Sequence, residues 1–225
     1  MKSNKHYQSG FTLVEIAIVL VIIGLLLGGV LKGQELIEQS KIKRVVNDFN
    51  SISAAFYTYQ DRYHYMPGDD PNAATRWTTA VAGGAATSGN GDSILTATLA
   101  QVLVGGPNEG GYAWQHLRAS GLVTGDLSTV PASETPELTP FNSKYGIGAS
   151  ATAFGFGIVP IYCASLPPKA AEQLDRQLDD GNPQTGNIRA GAPTAVVNTP
   201  PAAATAVTTT YVDAPNTWYT VCKKL

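Results

Sequence analysis

The run from Phe11 to Leu31 (FTLVEIAIVLVIIGLLLGGVL) constrains this chain more than any other stretch. Its 21 residues are apolar, glycine or threonine with one exception, Glu15. As a helix rising ~1.5 Å per residue, the run spans the ~30 Å hydrocarbon core of a bilayer. An ionised carboxylate inside such a span costs on the order of 3 kcal/mol at the bilayer centre, so it demands a neutralising partner. The nearest cations in the sequence, Lys5 and Lys32, both lie outside the run. A free α-amino group, created by cleavage just before Phe11, would supply the missing positive charge. From hydropathy alone the run is equally a plain anchor whose acid reaches out to the interface.

The residues ahead of the run favour cleavage. Met1 to Gly10 is short, carries Lys2 and Lys5, and lacks the apolar h-region and A-x-A site of a secretory signal. The junction G-F-T-L-V-E-I, from Gly10 to Ile16, resembles the processing site of type IV prepilins and of the pseudopilins of type II secretion. The resemblance implies that a membrane aspartyl peptidase, the prepilin peptidase, cuts after Gly10 and that Phe11 becomes the methylated first residue. It further implies that Glu15 pairs with the terminal amine of an adjacent subunit during assembly.

Beyond Lys32 the pattern turns amphipathic. Ile42, Val45, Val46, Phe49, Ile52, Phe56, Tyr59 and Tyr63 recur at steps of three and four, with Lys41, Lys43, Arg44, Asp48 and Gln60 on other faces. One helix of about 80 Å is expected from Phe11 to Tyr63, half in lipid and half as the spine of a domain. Gly24, Gly28, Gly29 and Gly33 either weaken its distal apolar half or permit close helix packing. The expected organisation is a leader at 1–10, a transmembrane and filament-core helix at 11–31, an amphipathic half at 32–65 and a globular head at 66–225. The expected fold is α+β and pilin-like, a long N-terminal helix packed on a small antiparallel sheet.

Met66-Pro67-Gly68 ends the helix, because proline disfavours helical geometry in the residue before it. A loop then runs to about Asn108, with short helices expected over 71–81 and 94–104. Glu109 to Ser120 reads as an amphipathic helix closed by Gly121. One or two strands are expected within 145–164, a helix from Pro168 to Leu178, an exposed Ala/Thr/Pro loop over 191–210 and a last strand over 217–223.

Lys2 and Lys5 favour a cytoplasmic N-terminus, which places the head outside the cytoplasm. Cys163 and Cys222 would then pair rather than stay as buried thiols. A crosslink closing about 60 residues is credited with roughly 4 kcal/mol by the chain-entropy model. The net charge of −2, falling to −4 once Lys2 and Lys5 leave with the leader, gives no basic excess for nucleic acid.

Asn90 and Asp92 offer oxygens two residues apart on a glycine-rich loop, the spacing that opens calcium-binding loops. With Asp69 they form a candidate calcium site that Asp70 and Glu109 could complete if the loop folds back. Some pilins and pseudopilins bind calcium in this region, although Asn-Gly-Asp is also an ordinary turn. Asp175, Asp179 and Asp180 are a second acidic cluster, either a cation site or a solvated helix end. His64 and His116 have no serine or cysteine motif beside them, and Gly146-x-Gly148-x-x-Ala151 lacks the βαβ frame of a dinucleotide site, so no enzyme is expected. The expected partners are other subunits of a homo- or hetero-filament, prepilin peptidase, the pilus or secretion assembly machinery, and the inner membrane before assembly. The resemblance implies a structural subunit of a type IV pilus-like filament, with a type II secretion pseudopilin and a membrane-tethered binding protein as the alternatives.

Overall fold

The computed structural model describes residues 12–81, 84–129, 133–149, 153–200 and 210–225. Two units make up the chain, one ending at Lys41 and the other spanning 42–225. Helix α1 is Leu13–Tyr63. From Thr12 to Lys32 every residue is exposed, and the helix continues through all four glycines with open space beside each. Among the described residues, it is the one helix long and apolar enough to cross a membrane.

Within 42–225 the amphipathic stripe does what its period dictates. Ile42, Val45, Phe49, Ile52, Phe56 and Tyr59 are buried in one apolar cluster with Trp114, Tyr145, Ile147, Tyr162 and Val221. The sheet beneath it has four antiparallel strands: β1 Tyr145–Ala149, β2 Pro160–Leu166, β3 Ile188–Ala190 and β4 Tyr219–Lys224, in the order β1-β2-β4-β3. This is an α+β, pilin-like architecture. Phe49 meets Tyr162 edge-on at 4.7 Å between centroids, and the Tyr145 hydroxyl donates to Asp48 at 2.7 Å, so β1 and β2 are tied to the helix by packing and by a hydrogen bond. Cys163 lies opposite Cys222 in the β2–β4 register, and the two form a disulfide.

Among the described residues the other helices are α2 Ala73–Arg76, α3 Leu99–Val104, α4 Glu109–Ala119 and α5 Pro168–Leu178, with a 3-10 turn at Ala153–Gly155. The helix expected over 71–81 is only one turn. Its growth stops because the Trp77 carbonyl accepts from Ala86 N–H (2.9 Å), a returning segment, instead of from the next turn. The helix expected over 94–104 starts at Leu99, where Thr98 and Gln101 form a capping box. The residues before it run beside β1, with Thr96 bridged to Ala149. α4 closes as its sequence suggested. Leu122 N–H reaches the Leu117 carbonyl (3.0 Å) and Gly121 N–H reaches that of Arg118 (3.0 Å), a Schellman pair around Gly121 at φ +73°.

Strand β3 was not expected, and the exposed loop over 191–210 is only partly so. Gly191 is buried, Thr194 bridges Trp218, and residues 201–209 lie outside the described residues. Gly146 has a packing reason for being glycine. A Cβ there would stand 2.1 Å from the Val102 carbonyl oxygen, so α3 could not lie on β1.

Candidate functional site

Glu15 begins α1 with a local partner. Its Oε2 accepts from Thr12 N–H (2.8 Å) and from the Thr12 hydroxyl (2.7 Å), while Glu15 N–H points back at the Thr12 Oγ1 (3.3 Å). This is a reciprocal capping box, with Thr12 as N-cap and Glu15 at the third helical position. The signal was present in the sequence as Thr-x-x-Glu. Gly10 and Phe11 lie outside the described residues.

The loop between α2 and α3 holds the second group of candidates. It has almost no regular structure, so its main-chain groups need other partners. Side chains supply them. Asp69, 1% exposed, accepts from Gly91 N–H (2.6 Å) and Asp92 N–H (3.2 Å) on one oxygen and from Ser93 N–H (2.7 Å) on the other. Glu109 accepts from Thr96 N–H (2.6 Å) and Asn90 N–H (3.4 Å). Gln115 accepts from Thr87 N–H (2.5 Å), and the His116 ring bonds the Thr87 carbonyl (2.6 Å).

Asp69, Asp92 and Glu109 each bring a carboxylate oxygen within 4.8 Å of the others, an arrangement of hard oxygen donors that fits a divalent cation. Asn90 sits differently from the other candidates. Its side chain is engaged with Asp92, accepting from that residue's N–H (2.9 Å) and donating to its carboxylate (2.9 Å). Asp70 is turned away from the group altogether. It accepts from the Tyr59 hydroxyl (2.7 Å) and Asn72 N–H (2.9 Å), and pairs with Arg76. In the second acidic cluster, Asp175 is fully buried and bonded to the Tyr211 hydroxyl (2.8 Å), while Asp179 accepts from Ile188 N–H (2.7 Å).

His116 is a core residue. Its Nδ1 accepts from Gly68 N–H (2.9 Å), so the proton sits on Nε2 and is donated to Thr87. Burial depresses its pKa to about 4. The unfolded chain therefore binds the extra proton between about pH 6.5 and pH 4, and stability falls as pH drops through that window, by about 3 kcal/mol from this group. Asp175 acts in the opposite sense. Burial raises it to about 6, so its contribution grows as pH falls below 6. Asp175→Asn removes that offset. Thermal melts of this variant are expected to lose stability steadily from pH 6.5 to 4, with the His116 ring still neutral by NMR at pH 5.

Residues 5–31 match the family model for the prokaryotic N-terminal methylation motif. The chain therefore carries the prepilin-type cleavage and methylation segment of type IV pilins and pseudopilins. No curated protein and no solved structure matches the chain.

Proposed function

We propose that the chain is a structural subunit of a type IV pilus-like filament, cut by prepilin peptidase between Gly10 and Phe11 and polymerised through α1. The observation that carries this reading is the methylation motif at 5–31 running straight into a helix whose side chains from Leu13 to Leu31 all stand exposed. In the membrane those side chains face lipid; in a filament they face the same segment of neighbouring subunits. The Glu15 carboxylate neutralises a neighbour's terminal ammonium, which would otherwise be buried unpaired in an apolar bundle. The heads, residues 66–225 with the amphipathic half of α1 as their spine, form the surface. Before assembly the subunit crosses the inner membrane once with its head outside the cytoplasm, where the Cys163–Cys222 disulfide persists.

The convergence of Asp69, Asp92 and Glu109 favours a second reading, a secretion pseudopilin with calcium in this loop. One sample tests both. Mass spectrometry of the protein from membranes is expected to show a chain that starts at N-methyl-phenylalanine, and retention of Met1 to Gly10 would remove the filament reading. Native spectra of the same chain with added calcium test the cation site. One ion bound, lost in Asp69→Ala, favours the pseudopilin, and no ion bound removes the observation on which that second reading rests.

A further inference from the structure

Two peptide links in this chain are chemically weak. Asn90–Gly91 is its single Asn-Gly pair and Asp180–Gly181 its single Asp-Gly pair. Glycine offers no side chain to shield its nitrogen, so in a free chain that nitrogen attacks the preceding side chain's Cγ readily. At Asn90 the new C–N bond closes a succinimide, the Cγ–amide bond breaks and ammonia leaves. At Asp180 the leaving group is water. Water then opens either ring at one of its two carbonyls, giving aspartate or isoaspartate.

The structure treats the two links alike. Gly91 N–H is held at 2.6 Å by Asp69 Oδ1, and Gly181 N–H at 3.2 Å by Asp175 Oδ1. Both acceptors are buried, at 1% and 0% exposure. Both glycines take the same left-handed conformation, φ +79° and +78°. The electrophilic side chains are pinned as well. Asn90 accepts from Asp92 N–H and donates to the Asp92 carboxylate. Asp180 accepts from Asn182 N–H at 2.8 Å and from the Thr185 hydroxyl at 2.5 Å. An amide nitrogen whose proton sits on a carboxylate resists deprotonation, because the anion would face a second negative charge. The same bond also keeps the nitrogen from turning toward Cγ.

We propose that Asn90–Gly91 and Asp180–Gly181 are latent sites of succinimide modification that the fold holds shut, with the buried carboxylates of Asp69 and Asp175 as their locks. The geometry thus gives the two acidic clusters a role that needs no ion.

The test is prolonged incubation of the full chain in detergent at neutral pH, followed by peptide mapping that separates asparagine, aspartate and isoaspartate. Folded wild type is expected to convert far more slowly at both links than the same chain in urea; equal rates overturn the proposal. Asp69→Ala is expected to speed conversion at Asn90 by roughly 10- to 100-fold, the factor that a hydrogen bond to a charged group is worth, while Asp180 keeps its wild-type rate. Asp175→Ala should give the mirror result. Each variant's other link reports whether the fold survives, and Asp69→Asn, which keeps the side-chain volume and the acceptor for Gly91 N–H but loses the charge, is expected to speed conversion by less than alanine and gives the reading if the alanine variant unfolds. An unchanged rate at the unlocked link, or a slower one as expected if the carboxylate served as a base, overturns the proposal.

Discussion

Cells producing Glu15→Gln are expected to cut the chain after Gly10 and insert it in the membrane, yet assemble almost none of it into filaments. The substitution separates the two roles that Glu15 can have. As the third helical residue of a capping box it accepts from Thr12 N–H, a bond that a glutamine oxygen makes as well. As a counter-charge it must be ionised, which glutamine never is. Leaving a neighbour's terminal ammonium unpaired in an apolar bundle costs roughly 3 to 5 kcal/mol, so subunit addition should weaken by about a hundredfold to several thousandfold. Glu15→Ala removes the cap too, worth only ~1 kcal/mol, and should look little worse. The measurement is the ratio of subunit in sheared filaments to subunit in membranes. Wild-type yield from Glu15→Gln would reduce Glu15 to a helix cap and remove the pairing from the proposed assembly.

What could be read from the sequence was what neighbouring residues encode. The change from unbroken apolar to period-3.6 patterning located α1 and the face that Ile42, Phe49 and Tyr59 bury. Gly121 marked the end of α4, and Pro168 the start of α5. Strand β3 escaped because three residues carry too little alternation to register, and because its place beside β4 is decided across more than thirty residues of chain. The loop before α4 escaped for the same reason. Its few large apolar residues suggested little order, whereas Asp69, Glu109, Gln115 and His116 hold its main chain from distant positions. Glu109 joins Asp69 and Asp92 only because α4 delivers it there, and Asp70, one residue from Asp69, is drawn to a different partner set.

That partner set carries the second large effect. Asp70 is fully buried and takes the Tyr59 hydroxyl, Asn72 N–H and the Arg76 guanidinium, which itself stacks over Tyr63 (4.5 Å) and Trp77 (5.2 Å). Asp70→Ala strips all three donors at once and leaves a mostly buried cation without its counter-charge. The expected loss is roughly 3 to 5 kcal/mol, which for a unit of this size lowers the melting temperature by roughly 10 °C. Arg76→Met should cost less, because the Asp70 carboxylate keeps Tyr59 and Asn72 as donors. The decisive comparison is the double variant. With the stranded guanidinium also gone, Asp70→Ala/Arg76→Met should be more stable than Asp70→Ala alone by about 1 to 2 kcal/mol in chemical denaturation. Simple additivity of the two losses would mean that Arg76 finds adequate hydration through its exposed quarter, and that Asp70 matters for the Tyr59 hydroxyl and the turn at Asn72 rather than for the ion pair.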